Sequence, residues 1–305
     1  MVLPNIAVMG AGALGCYFGG RLALAGAPVT LIGRPGHVEA IQRRGLIFES
    51  GGKKTKIKLA ATTEPDGVRD ATVVLICVKS ADSEAAAAAI APYLGPDAAL
   101  LSLQNGVGNV ERIQMRANRP VAAGLVYTAA TMKAMGHVVH TGGSRVVIGA
   151  VEGCGVSDAL LGELAALFRA AGIAAEISGN IETELWNKLV ANCSYNAACA
   201  LTGKNYGVMV ATPEIRALMR ETAEEVIALA RVKGVAMPDD ALDAMFRIAE
   251  AMPMTMSSTA QDIAKGRATE IDFLNGYVAR EGEALGIATP VNRALNALVK
   301  LREKA

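Results

Sequence analysis

The chain has 305 residues, and its 30 Lys and Arg nearly balance its 29 Asp and Glu, for a formal net charge of +1. This balance, with no basic cluster, argues against a nucleic-acid partner and against binding to an anionic membrane. The length predicts about two domains and a large core.

The chemistry-bearing residues give no sign of a metal site. The five cysteines have no C-x-x-C spacing, and the three histidines form no zinc set, so we predict reduced thiols and no metal. The alanine-rich run 85–91 favours a helix and is too short to cross a bilayer, and the chain enters a strand at once, without a signal peptide. We therefore expect a cytoplasmic protein.

The chain opens with a strand, a glycine loop and a helix. Residues 5–9 predict a short apolar strand, and residues 16–25 predict a helix. In dinucleotide-binding folds the loop glycines allow a tight turn and a close approach of a pyrophosphate to the helix N-terminus. A chance match in a chain with 32 glycines is the alternative. We predict that the loop binds a dinucleotide through Gly10, Ala11, Gly12, Ala13, Leu14 and Gly15.

The end of the second predicted strand, residues 28–32, indicates which dinucleotide binds. An NAD site usually carries an acidic residue here, whereas this chain reads Gly33-Arg34. A guanidinium favours a 2′-phosphate, and a hydrogen bond to a charged group is worth roughly 1.5–3 kcal/mol, or about ten- to a hundredfold in preference. The sequence therefore predicts NADPH over NADH. The alternative is that Arg34 is a solvated side chain before a turn at Pro35.

Strands and helices alternate through the first half of the chain. This alternation is typical of a largely parallel sheet with helices on its faces. The predicted strands are 46–50, 55–59, 72–78, 99–103, 121–128, 136–141, 144–149 and 173–177, and the predicted helices are 82–91 and 156–171.

Polar residues follow two of these strands. Lys79 comes after strand 72–78, and Asn105 comes after strand 99–103. Open sheets bind ligands beyond the carboxyl ends of their strands, so both residues are candidates to face the cofactor. A solvated lysine and Asn-Gly turn chemistry are the alternatives.

From Gly179 onward the pattern is helical almost throughout. We therefore predict a domain boundary near Ser178, which separates residues 1–178 from residues 179–305. The predicted helices are 181–200, 212–233, 239–251, 257–265, 270–286 and 290–304.

The first of these helices carries a polar stripe. Lys188, Asn192 and Asn196 are spaced four apart, so they stack on one face of a helix whose other residues are largely apolar. Buried polar groups are costly unless they are paired, and a polar ligand would pair them. The alternative is a satisfied hydrogen-bond network between helices.

Two further polar residues follow later in the chain. Ser258 with Gln261 has the pattern of a capping box, Thr269 with Asp272 resembles one, and Glu270 is favourable in a first helical turn. Capping alone would explain Ser258 and Glu270. Their combination with the Lys188 stripe favours a functional interpretation.

Together these motifs resemble the ketopantoate reductase (2-dehydropantoate 2-reductase) family over essentially the whole chain. The lysine-asparagine helix followed by residues 270–276 is far more specific than the glycine loop. The resemblance implies an α/β Rossmann-type NADP-binding domain followed by an all-α domain like the C-terminal domain of 6-phosphogluconate dehydrogenase, with the active site between them. The residues that carry it are the glycine loop 10–15, residues 104–106 and 186–189, Asn192, Asn196 and residues 258–276.

The same resemblance implies a reaction and a role for each site residue. The reaction is the NADPH-dependent reduction of ketopantoate to pantoate, a step of pantothenate and coenzyme A biosynthesis. The implied catalytic residues are Lys188 and Glu270. The implied ligand-binding residues are Asn192, Asn196 and Ser258 for the substrate, Arg34, Lys79 and Glu270 for the cofactor, and Asn105 for both.

The chemistry favours Lys188 independently. Hydride transfer to a 2-keto acid leaves negative charge on the carbonyl oxygen, and no histidine stands in a convincing position to stabilise or protonate it. Desolvation on an apolar helix would lower the pKa of Lys188 toward a useful range. We hypothesise that Lys188 is the general acid, with Glu270 positioning it or binding a substrate hydroxyl.

Several alternatives remain open at the level of sequence. Two features bear on specificity. Thr259 stands where the family often carries a larger apolar residue, and the residues before Ser258 include Met252, Met254 and Met256. The methionines either fill core gaps or, like Thr259, reshape specificity for another 2-keto acid. A β-hydroxyacid dehydrogenase-like enzyme and a non-catalytic NADPH-binding protein are the rival functions. The alanine-rich helices of the second domain could also pair two copies into a homodimer.

Overall fold

The computed structural model describes residues 3–304, which divide into two compact units. The first unit ends at Ile181, and the second begins at Glu182. The boundary that we predict at Ser178 lies in the loop before this division. Residues 1, 2 and 305, which the predicted domains include, lie outside the described residues.

Ten strands, all in the first unit, form one mixed sheet. They are β1 (Ile6–Met9), β2 (Val29–Ile32), β3 (Leu46–Ser50), β4 (Lys53–Ile57), β5 (Ala60–Thr62), β6 (Val73–Ile76), β7 (Ala99–Ser102), β8 (Val121–Ala134), β9 (His137–Gly149) and β10 (Ala174–Ile177). The strand order is β4-β3-β9-β8-β7-β6-β1-β2-β5, and β10 pairs with β9.

The central strands are parallel. In β1, Ile6 pairs with Val29 of β2 on one side and with Val73 of β6 on the other. All four residues of β6 are buried, as expected for a parallel strand covered on both faces. The carboxyl ends of these strands therefore meet at one edge of the sheet, where the glycine loop also begins.

Five α-helices accompany the sheet. The first of them packs Tyr17, Phe18 and Leu22 into the core of the unit, where all three are fully buried. The helices are α1 (Ala13–Leu24), α2 (Pro35–Arg44), α3 (Ser83–Ile90), α4 (Asn109–Ala117) and α5 (Asp158–Ala170), with short 3-10 helices at Pro65–Val68, Ser80–Asp82 and Ala91–Tyr93.

All the described elements that follow are helical. They are α6 (Ile181–Thr202), α7 (Tyr206–Ala211), α8 (Pro213–Val232), α9 (Ala241–Ala251), α10 (Ser258–Ala264), a 3-10 helix (Ile271–Phe273), α11 (Asn275–Leu285) and α12 (Pro290–Arg302). The predicted fold class, a Rossmann-type α/β unit followed by an all-α unit, is confirmed. Between residues 3 and 304, none of the helices combines the length and the apolar character needed to span a membrane.

Some predicted elements differ from the observed ones. The predicted strands 136–141 and 144–149 are one strand, β9, because the glycines between them sit in an irregular stretch of pairing with β8 and do not form a turn. The predicted helix 270–286 begins as a 3-10 turn and restarts at Asn275, because Leu274 leaves helical geometry with φ −110 and ψ −100. The sequence interpretation missed α2, α4 and α7.

Candidate functional site

The glycine loop joins β1 to α1 in a shape that two glycines make possible. Gly10 has φ +114, and a Cβ on it would lie 2.7 Å from the backbone of Cys77 and Val78. A Cβ on Gly15 would overlap the carbonyl oxygen of Gly10. Both positions therefore require glycine for the close approach of backbone to backbone.

Gly12 differs from these two glycines because the space beside it is open. It is the exposed N-cap residue of α1, and a Cβ there would meet nothing within 4 Å. The first N–H groups of a helix lack intrahelical partners and attract an anion. This open space at the start of α1 fits the pyrophosphate of a dinucleotide.

The rest of the loop is held to the end of β2. The backbone N–H groups of Gly10 and Ala11 donate to the carbonyl of Ile32 at 2.9 and 3.1 Å. Ala11 is buried, whereas Ala13 and Leu14 are half-buried in the first turn of α1. The loop therefore has a defined position beside β2, the strand that precedes Arg34.

Arg34 lies at the surface directly after β2. It is the N-cap residue of α2, with Pro35 in the first turn, so a helix follows Arg34 where the solvated-arginine interpretation placed a turn. The Arg34 side chain is 86% exposed, and its guanidinium lies 3.5 Å from the carboxylate of Asp82. An ion pair this exposed contributes little stability, so the guanidinium is accessible to an anionic ligand.

Lys79 and Asn105 are both half-buried and lie on segments that the structure joins. Their strands, β6 and β7, pair in parallel. The hydroxyl of Ser80, next to Lys79, donates to the carbonyl of Asn105 at 3.2 Å. The two predicted cofactor residues therefore stand on neighbouring strand ends of the same sheet.

In the second unit, α6 carries the predicted polar stripe. Lys188 and Asn192 are half-buried, and Asn196 is 4% exposed. The residues around them on this helix are mostly apolar and buried, including Trp186 and Leu189. The helical spacing of Lys188, Asn192 and Asn196 places their side chains on one face.

The pKa of Lys188 is lowered to about 8. Burial is the main cause, because it penalises the charged amine, and the negative charge of Glu270 partly offsets this by favouring the ammonium. The structure thus brings Lys188 and Glu270 within electrostatic reach of each other. Glu270 is half-buried and precedes the 3-10 helix Ile271–Phe273.

The predicted capping box at Ser258 is wrong by one residue. Ser257 caps α10, since its hydroxyl accepts from the N–H of Ala260 at 3.1 Å, while Gln261 donates to the carbonyl of Met256. Ser258 is instead an exposed residue in the first turn of α10. Capping therefore no longer explains Ser258.

Ser257 also fixes the start of α10 against α6. Its hydroxyl donates to the carbonyl of Asn196 at 3.4 Å, and its N–H donates to Cys199 Sγ at 3.2 Å. The residue before Ser258 is thus bonded to the residue that ends the stripe. The sequence interpretation missed Ser257, although serine is a favoured N-cap residue and Ser257 precedes the first residue of α10.

Only the threonine half of the predicted Thr269–Asp272 capping box forms. The Thr269 hydroxyl accepts from the N–H of Ile271 at 3.1 Å, and the Asp272 carboxylate pairs with Lys300 Nζ at 2.9 Å. Asp272 is thus engaged with α12 and does not close a capping box. Glu270 lies between these two anchored residues.

The methionines that precede Ser258 do not all fill the core. Met252 and Met254 are 49% and 78% exposed, whereas Thr259 is 2% exposed. Their loop is fastened to the start of α7, since Gly207 N–H donates to the carbonyl of Pro253 at 2.8 Å. The core-filling interpretation is therefore wrong for these two methionines.

The five cysteines are free thiols. Burial raises the pKa of Cys16 to about 12, and it also holds the pKa of Cys77 and Cys193 well above the ordinary value. These thiols therefore stay protonated and poorly nucleophilic near neutral pH. Within residues 3–304, His, Cys, Asp and Glu side chains form no group of three that could hold a metal ion.

A Rossmann-type unit with a dinucleotide loop, followed by a helical unit with a half-buried lysine, is the plan of an NAD(P)-dependent oxidoreductase. Comparison with known proteins shows the family. Residues 6–153 match the family described as "Ketopantoate reductase PanE/ApbA", and residues 180–303 match its C-terminal domain. The chain belongs to the ketopantoate reductase family, as the sequence resemblance predicted.

Individual relatives match along almost the whole chain. The 2-dehydropantoate 2-reductase of Archaeoglobus fulgidus is 34% identical over 301 residues, which cover 98% of each chain. The crystal structure of a PanE/ApbA family ketopantoate reductase from Ralstonia eutropha JMP134 is 47% identical, with a TM-score of 0.91 and 98% of each chain covered. A ternary structure of D-mandelate dehydrogenase with NADH and anilino(oxo)acetate is 27% identical, with the same TM-score and coverage.

Proposed function

We propose that this chain reduces 2-dehydropantoate to pantoate with NADPH. The observation that carries the proposal is Lys188, whose pKa is lowered to about 8 by burial while it remains within the field of Glu270. Family membership and the full-length match to 2-dehydropantoate 2-reductases support the substrate.

Lys188 would act as the general acid. With a pKa of about 8, most of its amine carries a proton at neutral pH, and that proton is more easily given up than the proton of an ordinary lysine. When bound, NADPH would supply the hydride that reduces the keto carbon. Lys188 would then stabilise the developing negative charge on the oxygen and protonate it.

The neighbouring polar groups would hold the substrate. Carboxamides at Asn192 and Asn196 and the hydroxyl of Ser258 match the hydrogen-bonding needs of a carboxylate and a hydroxyl. Glu270 would sustain the protonated state of Lys188 through its charge, and it would also contact the substrate hydroxyl or the cofactor.

Apart from Glu270, the cofactor residues lie in the first unit, which we propose as the NADP-binding domain, residues 1–178. The loop from Gly10 to Gly15 would bind the pyrophosphate, and Lys79 and Asn105 would approach the dinucleotide from the strand ends. We assign NADPH over NADH because Arg34 stands exposed at the end of β2, where an NAD site usually carries an acid. Its guanidinium would pair with the 2′-phosphate.

The remaining assignments follow from this function. The substrate is a small 2-keto acid bound by the helical domain, residues 179–305, and the reduced thiols favour a cytoplasmic setting. A homodimer stays a prediction that light scattering would test.

The decisive experiment compares kcat/KM over a panel of 2-keto acids with NADPH and with NADH. We expect the highest value for ketopantoate with NADPH. A higher value for an aromatic 2-keto acid with NADH would instead favour a D-mandelate dehydrogenase-like enzyme, the alternative raised by the neighbour that binds NADH and anilino(oxo)acetate. Oxidation of 3-hydroxy acids would indicate a β-hydroxyacid dehydrogenase, and tight NADPH binding without turnover would indicate a binding protein.

A further inference from the structure

A cluster of buried polar side chains lies between the segments that carry Lys79 and Asn105. Its members, which we call the strand-end cluster, are between 0% and 7% exposed. They are Ser80, Ser83, Ser102, Gln104 and Asn109.

Gln104 bonds to the residue before Lys79. Its Nε2 donates to the carbonyl of Val78 at 2.9 Å and to Ser83 Oγ at 2.6 Å. Its Oε1 accepts from Ser102 Oγ at 3.0 Å. Gln104 therefore fastens the end of the Val78 segment to β7 and α3.

Asn109 bonds to the residue after Lys79 and to Asn105. Its Nδ2 donates to the carbonyl of Asn105 at 2.9 Å and to Ser80 Oγ at 3.2 Å. Its Oδ1 accepts from Ser83 Oγ at 3.1 Å. Through Gln104 and Asn109, the cluster thus holds Lys79 from both sides and Asn105 through its backbone.

Buried polar groups must be paired, so a paired cluster of short side chains permits few alternative geometries. The amide groups of Gln104 and Asn109 are buried and bonded within the protein, whereas Lys79 and Asn105 are half-buried. The geometry of the two segments is therefore set by side chains that are buried and hydrogen-bonded to one another.

We propose that Gln104 and Asn109 are positioning residues that place Lys79 and Asn105 for NADPH. The inference rests on the proposed function, because it takes NADPH as the ligand of these two segments. Replacing Asn109 by Asp keeps the size of the side chain but removes both N–H donors and turns a carboxylate toward the Asn105 carbonyl.

The test measures the Kd of NADPH by fluorescence titration for Asn109→Asp, Asn105→Ala and the double variant. We expect Asn109→Asp to weaken binding roughly tenfold in the wild-type background, because two buried acceptors lose their donor. In the Asn105→Ala background the same change should raise the Kd of NADPH by less than about threefold, since coupled substitutions are not additive. Asn118→Asp, at the exposed opposite end of α4, introduces the same charge and should stay within about twofold of wild type.

These variants form a double-mutant cycle, and a second such cycle keeps the proposal testable if Asn109→Asp fails to fold. It combines Gln104→Glu with Lys79→Ala, and Gln114→Glu on α4 is its control. Additive effects in the cycle that folds, or NADPH binding unchanged by the cluster variants, would overturn the proposal. A wild-type protein that does not bind NADPH would instead overturn the proposed function, and the inference with it.

Discussion

The two units build their candidate sites in different ways. In the first unit the shape of the site is set by the backbone. Gly10 and Gly15 have no room for a Cβ, and the buried side-chain amides of Gln104 and Asn109 bond to the residues on either side of Lys79. In the second unit the site lies largely on one helix, α6, whose periodicity places Lys188 and Asn192 on the same face. Burial and the charge of Glu270 then tune the amine.

This difference indicates how each site should respond to substitution. A site made of backbone groups binds through shape, so losing one side chain should change affinity or cofactor choice. A site made of one tuned side chain carries the chemistry, so losing that side chain should change kcat. The experiments below test this division, beginning with the largest expected effect.

Replacing Lys188 by Ala should lower kcat by about 10² to 10⁴, the range expected for a lost general acid, while the Kd of NADPH stays near its wild-type value. Steady-state kinetics and fluorescence titration measure the two quantities. Lys188→Met is the matched control for packing, because it keeps an unbranched apolar chain and should lose the same activity. Normal reduction of ketopantoate by either variant would contradict the role of Lys188.

Replacing Arg34 by Ala should reduce the preference for NADPH over NADH by about ten- to a hundredfold, because a charge-assisted contact with the 2′-phosphate is lost. The ratio of kcat/KM for the two cofactors measures it. Arg43→Ala removes the same charge from the last turn of α2 and should leave the ratio unchanged. Equal kcat/KM values for the two cofactors in the wild-type protein would show that Arg34 does not select NADPH.

The rate of reduction should depend on pH through Lys188. A general acid must be protonated, and the pKa of Lys188 is about 8. The kcat should therefore be level below that pH and fall about tenfold per unit as the pH rises above it. A profile that stays level to pH 10 would mean that another group delivers the proton, and Lys188→Met should lack this descending limb.

Replacing Glu270 by Gln should have the smallest effect, a few-fold decrease in kcat at neutral pH. The Glu270 carboxylate raises the pKa of Lys188, so its removal should move the descending limb of the profile to lower pH. Glu283→Gln, on the exposed face of α11, is the control for the lost charge. An increase in KM alone, with an unchanged kcat and an unshifted pH profile, would show that Glu270 only binds substrate.

Local patterns predicted much of this protein. Strand, glycine loop and helix are neighbours in sequence, so their order indicated a dinucleotide site without any distant contact. Helical spacing likewise placed Lys188, Asn192 and Asn196 on one face. Both features depend only on backbone periodicity and on the steric freedom of glycine.

Boundaries and caps were predicted less well. The cap of α10 fell on Ser257 rather than Ser258, because adjacent serines have the same intrinsic preference and contacts to Asn196 and Cys199 decide between them. The role of Asn275 also depends on a contact with a distant part of the chain. Its Nδ2 donates to the carbonyl of Cys193, which lies 82 positions earlier, and no local pattern shows that bond.

The sequence by itself determined the two-part architecture, the glycine loop and the polar stripe, since each is written in residues close together along the chain. The sequence also indicated the direction in which the pKa of Lys188 is shifted, whereas only the tertiary structure decided how far burial and Glu270 shift it and how the strand-end cluster forms around Gln104 and Asn109. Desolvation and hydrogen-bond pairing depend on which distant segments come together, and that is a property of the folded chain.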